Sequence, residues 1–279
     1  MKPTPLIATI ILTALISSCS SPRYIYSSSP PNAAYLKEKG DSKLAAYYSA
    51  GSYQTSPQDQ DGYNRGFDVQ AAYALTDHWA VTASLFNRKE RDAYDQKRAS
   101  LFNNSTINYQ RNLFEIGGGY FTTLDQTKTV GVSLFGGMGF GKFRMFDTGL
   151  TEQLDPYDRF HNSQIRKMFI QPALTIMPGR YFRMMIVHRF SYVHYGDIST
   201  SYTNDERDYF KLTQIENRTR HFGETTLGLQ SALPGANWMS IETSITLSTQ
   251  PGIDYNWIRA RGFNASIGLS FDIAKMLRR

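Results

Sequence analysis

The chain has a single cysteine, Cys19, among 279 residues, so no disulfide can form within one molecule and a structural zinc site built from several cysteines is excluded. It also lacks long apolar runs. After residue 18 no stretch approaches the roughly 20 apolar residues that a membrane-crossing helix needs, which excludes a bundle of such helices. Charged residues make up only 19%, without a basic run or a nucleic-acid motif, so the net charge of +6 does not point to nucleic acid. The surplus is better matched to anionic lipid. Aromatics, by contrast, are abundant, with 18 Tyr and 17 Phe, while mean hydropathy stays negative at -0.41. Many aromatics at moderate hydropathy suit a closed barrel, where every backbone amide is paired between strands and only alternate side chains must be apolar.

The chain begins with Lys2, an apolar run from Leu6 to Ile16, and the small residues Ser17 and Ser18. This is the order of an export signal and is too short to span a bilayer. Leu15-Ile16-Ser17-Ser18-Cys19 resembles the lipobox of bacterial lipoproteins, which implies removal of 1–18 and acylation of Cys19. In that family Ser at position 20, where Asp would retain the protein in the inner membrane, implies sorting to the outer membrane. No acidic cluster follows Cys19, which implies an anchor on the periplasmic side. Residues 19–42, with Ser27-Ser28-Ser29-Pro30-Pro31, read as a lipidated periplasmic tether.

From Lys43 onward about ten segments alternate with period two, and a count of eight or twelve would follow if the first segment were misjudged or one were split. In the second, Phe67, Val69, Ala71, Tyr73 and Leu75 share one face, with Asp68 and Gln70 on the other. The last repeats the pattern, with Phe263, Ala265, Ile267, Leu269 and Phe271 against Asn264, Ser266, Gly268, Ser270 and Asp272. Connections alternate between short and long. Thr76-Asp77-His78, Leu124 to Lys128, Pro178-Gly179-Arg180 and Pro234-Gly235-Ala236-Asn237 are tight turns. Ser56 to Arg65, Arg88 to Arg111, Asp147 to Gln164, Gly196 to Arg220 and Thr249 to Arg261 read as long polar loops.

Trp79, Tyr181 and Trp238 follow short turns, and Tyr120 and Phe121 precede one, as a periplasmic aromatic girdle requires. Phe86, Phe114, Phe143, Phe169, Tyr192, Phe222 and Phe263 are expected to form the outer girdle. Pro172 lies within the sixth strand and is expected to cause a bulge or local edge. The glycines at 136, 137, 139 and 141 suit a bend or a close approach. By this pattern, residues 43–273 resemble bacterial outer-membrane β-barrels, which implies an all-β, up-and-down antiparallel barrel of about ten strands. Residues 274–279 form a short basic tail. The resemblance further implies lipid of the outer membrane and the barrel-insertion and lipoprotein-sorting machinery as partners, with the surface ligand unspecified.

Alternation places Asp68, Glu115, Lys167, Arg183, Arg189, Glu224 and Glu242 in the lumen. Charges of both signs in a narrow barrel favour a lumen closed by ion pairs over a selective pore, because unpaired buried charge is costly. Placing Arg183 and Arg189 inside leaves His188 facing lipid unless a bulge shifts the register. The nearest approach to a catalytic constellation is His194 with Asp197, followed by Asp205, Asp208 and His221. It does not reproduce the paired Asp and Asp-x-His pattern of the omptin proteases, which share the ten-strand size. No cofactor motif appears, and Asp205, Glu206 and Asp208 lack the spacing of a calcium loop. The expectation is a non-enzymatic envelope protein with a structural or surface-binding role, with a small-solute channel and a rim hydrolase as alternatives.

Overall fold

The structure, a computed structural model, describes residues 22–54, 62–94, 104–150, 155–179, 181–251 and 257–277. The export signal, the lipobox and Cys19 lie outside the described residues. Ten antiparallel strands close into a barrel in chain order: β2 (Ser42–Gly51), β3 (Tyr63–Ala74), β4 (Trp79–Tyr94), β5 (Asn104–Thr123), β6 (Val130–Leu150), β7 (Pro156–Ile176), β8 (Phe182–Thr200), β9 (Arg218–Leu233), β10 (Ala236–Thr249) and β12 (Phe263–Phe271). The last strand pairs with the first, Ile267 opposite Tyr48, so no edge is left open. β1 (Arg23–Tyr26) and β11 (Ile258–Ala260) form a separate parallel pair.

Polarity is inverted relative to a water-soluble protein. Leu85, Ile116, Met168, Ile186, Leu247 and Ile267 point outward with half or more of their surface exposed, while Asp68, Gln70, Glu115, Lys167, Arg189, Glu224 and Glu242 point inward and are at most 4% exposed. An apolar belt around a polar interior is the arrangement a bilayer stabilises.

Short links join β3 to β4, β5 to β6, β7 to β8 and β9 to β10, all at one end of the barrel. In the two-residue link Pro234-Gly235, Gly235 takes φ +81°, a conformation that favours glycine, behind a proline whose φ is fixed. The β5–β6 link is closed by Asp125, whose carboxylate accepts from Thr127 and from the backbone N–H of Thr129 and Val130. These bonds, that from Thr127 foremost, hold its carboxyl well below the usual range.

The strands are longer than alternation suggested. Arg88 to Tyr94, read as loop, continue β4, and Asn104 to Arg111 continue β5. β6 and β7 each run for 21 residues. At about 3.3 Å per residue and a tilt near 40°, that is roughly 50 Å, twice the ~25 Å apolar band of such barrels. The barrel therefore extends past its apolar belt at the long-connection end, where the outward face turns polar and, on β5 and β6, Ile107, Tyr109, Phe143 and Met145 point inward, so the apolar phase of the alternation reverses.

The largest departure concerns residues 22–36. Expected outside as a tether, they run up the inside of the barrel. Tyr35 donates to the carbonyl of Lys128 in a short link, whereas the carbonyl of Pro22 accepts from Tyr94 Oη (2.9 Å) at the far end of β4. The chain thus climbs from the short-link end at residue 36 to the long-connection end at residue 22, and Arg23 to Ala34 are buried throughout. Above β1, the β8–β9 connection folds over the mouth through helix α1 (Asn204–Tyr209) and the 3-10 turn Leu212–Gln214, packing Phe210, Leu212 and Ile215 onto Ile25 and Ile258. At the base, helix α2 (Ile273–Leu277) sits beside β2, with Ala274 N donating to Ser42 Oγ (3.0 Å).

Pro172 causes no bulge, but the β7–β8 pairing is interrupted at Gln171 and Pro172, the local edge expected of a residue without an N–H. The β7–β8 register is unchanged from Ile170↔Phe190 to Ala173↔Val187, and the one register shift lies between Asn162 and Gln164. With no shift in β8, His188 faces outward beside Phe190 and shares a hydrogen bond with Thr225 (2.9 Å).

Candidate functional site: the plugged lumen

The seven charges expected in the lumen all line it, and six of them meet in ion pairs. Glu115 binds Lys167 (2.8 Å) and Arg189 (3.2 Å), and Arg189 reaches toward Glu224 (4.0 Å). Asp68 pairs with Arg88 (3.0 Å) and accepts from Ser49 (2.7 Å). Glu242 pairs with Lys43 (2.9 Å) and with the hydroxyl of Tyr47. Arg183 donates to Gln230 (3.0 Å) nearer the base. Burying charge this deeply is costly unless opposite charge meets it, and six of the seven have such a partner.

The plug completes this network. Tyr26 donates to Glu224 Oε1 (2.7 Å), accepts from Lys167 Nζ (3.0 Å), and stacks on Phe222 with ring centroids 4.0 Å apart. Arg23 forms an ion pair with Asp147 and lies 3.5 Å over the Phe210 ring, while Tyr157 (3.1 Å) and Tyr202 (2.7 Å) also donate to Asp147. Arg261, beside β11, clamps Glu90 (2.8 Å) and Asp92 (2.7 Å) and covers the Tyr24 ring at 3.7 Å. Its backbone N–H donates to the carbonyl of Tyr26 (2.8 Å), and Arg111 donates to the carbonyl of Tyr24 while pairing with Glu90.

Lower down, the Ser/Pro stretch is buried cheaply, because Pro30 and Pro31 bring no N–H to satisfy. Gln70 donates to the Pro30 carbonyl (2.6 Å). Asn32 donates to the carbonyls of Ala71 (2.8 Å) and Ala83 (3.0 Å). Gly117 and Gly137 face each other across β5 and β6 and leave room for the Phe169 ring, which Arg189 covers at 4.6 Å.

Sequence reasoning missed Arg23, Tyr24, Tyr26, Arg88, Glu90, Arg111, Asp147 and Arg261. The four residues from 88 to 147 had been placed in loops, and the plug residues in a tether. The block Arg23-Tyr24-Ile25-Tyr26 carried the available signal, since a flexible linker has no use for two aromatics and an isoleucine.

The aromatic expectations divide by parity. Trp79 and Tyr120 meet edge to face at the short-link end (5.7 Å), Tyr181 is exposed there, and Trp238 stacks on Phe271 (6.1 Å), whereas Phe121 turns into the lumen. Of the outer set, Phe114, Tyr192 and Phe263 face outward. Phe86, Phe143, Phe169 and Phe222 are buried inside, because each falls on the lumen phase of its strand.

The rim residues do not assemble. His194 faces outward with Thr219 (3.4 Å), His221 packs against Tyr192, and Asp208 accepts from Thr213 (3.0 Å); among the described residues no hydrogen bond or ion pair joins His194 to Asp197. Glu206 closes the capping box of α1 with Thr203 and binds Arg159 (3.1 Å). Among the described residues no group of three His, Cys, Asp or Glu is placed to hold a metal.

No protein-family model matches the sequence, and no curated relative matches it. Among solved structures, the translocator domain of the autotransporter NalP from Neisseria meningitidis is similar at TM-score 0.48 and 10% identity, over 85% of this chain and 90% of that one. Ail, the attachment invasion locus protein of Yersinia pestis, is similar at TM-score 0.29 and 13% identity, over 84% and 98%. A major outer membrane protein from Thermus thermophilus gives 0.35 and 10%, over 82% and 98%. All three come from bacterial envelopes, and all three stand below a TM-score of 0.5. The reading of this chain rests on its own geometry: a closed ten-stranded barrel with an apolar belt and a lumen filled by its own N-terminal stretch.

Proposed function

We propose that the chain is an outer-membrane β-barrel held closed by its own N-terminal stretch, a non-enzymatic envelope protein acting structurally or through its long connections at the cell surface. The observation that carries this reading is the insertion of Tyr26 between Glu224 and Lys167, at the centre of the lumen charge network. A solute path would have to break these contacts together with those of Arg23 and Arg261. The barrel reconstituted in planar bilayers is expected to give no single-channel steps; regular steps in the wild-type protein would refute the closed lumen.

With short links toward the periplasm, as in outer-membrane barrels, the long connections and Pro22 face the cell exterior. Cys19 is proposed as the acylation site. Three residues span at most about 10 Å, so this reading sets Cys19 near the long-connection end, on the side opposite to the periplasmic anchor expected from the sequence. The insertion and sorting machinery are proposed as partners in assembly. Fatty-acid labelling of wild type and Cys19→Ala tests the lipid; an unlabelled wild-type protein would overturn this part of the reading.

A further inference from the structure

On the outer face of β3 to β7, the strand register sets three rows one above another. Val69, Leu85, Phe114 and Phe140 form an apolar row. Toward the long connections comes a row of Asn87, Asn112, Lys142 and Gln164, and then Arg65, Lys89, Gln110, Arg144 and Asn162. Arg166 extends the apolar row beyond Phe140 on β7.

These cations differ from those inside. Among the described residues none of Arg65, Lys89, Lys142, Arg144 and Arg166 has an ion pair, whereas Arg88 and Lys167, pointing inward from β4 and β7, both do. The nearby acidic group, Asp197, lines a recess of about 270 Å³ with Lys142 and Arg144 without pairing to either. Below the cations, an open groove of about 630 Å³ is floored by Phe67, Leu85, Phe114 and Phe140 and ends at Asn112 and Lys142. An apolar groove leading into amides and unpaired cations has the polarity of one acylated, phosphate-bearing molecule.

We propose that this face binds a phosphorylated lipid of the surrounding leaflet, its acyl chain along the groove and its phosphate at Lys142, Arg144 and Lys89. The inference rests on the reading that the barrel is membrane-embedded with its long connections outward. Charge complementarity selects the occupant: among the described residues these rows carry five cations and no carboxylate, with Asp197 beside them in the recess and Asp158 higher on β7, which favours a phosphate headgroup over a zwitterionic or neutral one, and the groove favours a lipid over a free anion.

The test uses the full-length barrel in neutral detergent, with lipid A, a bis-phosphorylated and multiply acylated disaccharide, as probe and native mass spectrometry as readout. Each removed cation is expected to weaken retention about 5-fold, so Lys89→Gln, Lys142→Gln and Arg144→Gln together weaken it on the order of 100-fold. Lys142→Arg is expected to retain the lipid, and Phe140→Ser to weaken it with every cation intact. Equal retention by the triple variant, or of a neutral lipid with the same acyl count, would overturn the proposal. Displacement by millimolar inorganic phosphate would reduce the site to a simple anion patch and overturn the lipid assignment. Heat-dependent gel mobility and bilayer insertion, measured on the same samples, report separately on whether the barrel is embedded.

Discussion

Replacing Glu115 by Ala removes the one carboxylate that both Lys167 and Arg189 contact within 3.2 Å, at a site where all three side chains are at most 5% exposed. The two cations are not left equally bare. Arg189 keeps Gln171 through two nitrogens (2.8 and 2.6 Å) and approaches Glu224 at 4.0 Å, whereas among the described residues Lys167 keeps only Tyr26, through its hydroxyl at 3.0 Å and its ring at 5.5 Å. Breaking a buried pair from one side costs about 3–5 kcal/mol, and Arg189's remaining partners place this case near the lower end, about 3 kcal/mol. Most of that cost belongs to Lys167, so adding Lys167→Met is expected to recover more than about 1 kcal/mol, a coupling typical of residues in one network. Urea titration of the barrel in lipid vesicles, followed by tryptophan fluorescence and gel mobility, reads both variants. A single substitution costing under about 1 kcal/mol, or strict additivity in the double, would refute the account of a closed, coupled charge network.

Tyr26→Phe keeps the stack on Phe222 but deletes both hydroxyl contacts to charged groups; in the same titration it is expected to cost about 1.5–3 kcal/mol. Gly137→Val drives its Cβ against the Ile116 carbonyl and the Phe169 ring and is expected to cost about 3 kcal/mol by overpacking. Gly136→Ala, in ordinary contact only, is expected to stay within about 0.5 kcal/mol of wild type. Partial burial acts to raise the Glu206 carboxyl, but hydrogen bonds from Arg159 and Thr203 outweigh it and hold the group below its ordinary value of 4.5. Its contribution is therefore complete above that value and is lost as pH falls through the lower folded one. Protection factors for hydrogen exchange in 201–217, taken relative to the intrinsic rate at each pH, are expected to fall from pH 7 to pH 3, and Glu206→Gln to flatten that dependence.

The barrel was legible because its signals are local. Alternation along Phe67–Leu75 and Phe263–Asp272, with the turn residues between strands, depends on neighbours in sequence, and the same parity delivered the seven lumen charges. The upper parts of β4 and β5 escaped because, beyond the apolar belt, Lys89 and Gln110 face outward while Arg88 and Glu90 face inward. On β4 both faces are polar there, and on β5 the apolar residues Ile107 and Tyr109 face inward, so neither segment shows the apolar-out pattern of the belt. Phe86, Phe143, Phe169 and Phe222 were assigned to the outer girdle by their position along the strands, although the phase of each strand turns them inward. The plug was hidden for a different reason: Ser27 to Pro31 have a linker's composition, and their place is set by contacts such as Tyr26–Glu224, 198 residues apart. No local pattern encodes such a pairing.

The central claim, that the N-terminal stretch climbs through the lumen and emerges beside the long connections, is tested most directly by an epitope tag inserted between Ser21 and Pro22, probed with antibody on intact cells. A second tag, placed in the β5–β6 link beside Asp125, marks the opposite end. Labelling of the first tag without permeabilisation, and of the second only after it, is the predicted result. Labelling of the first tag only after permeabilisation, in a barrel that still shows heat-dependent mobility, would contradict the threaded plug.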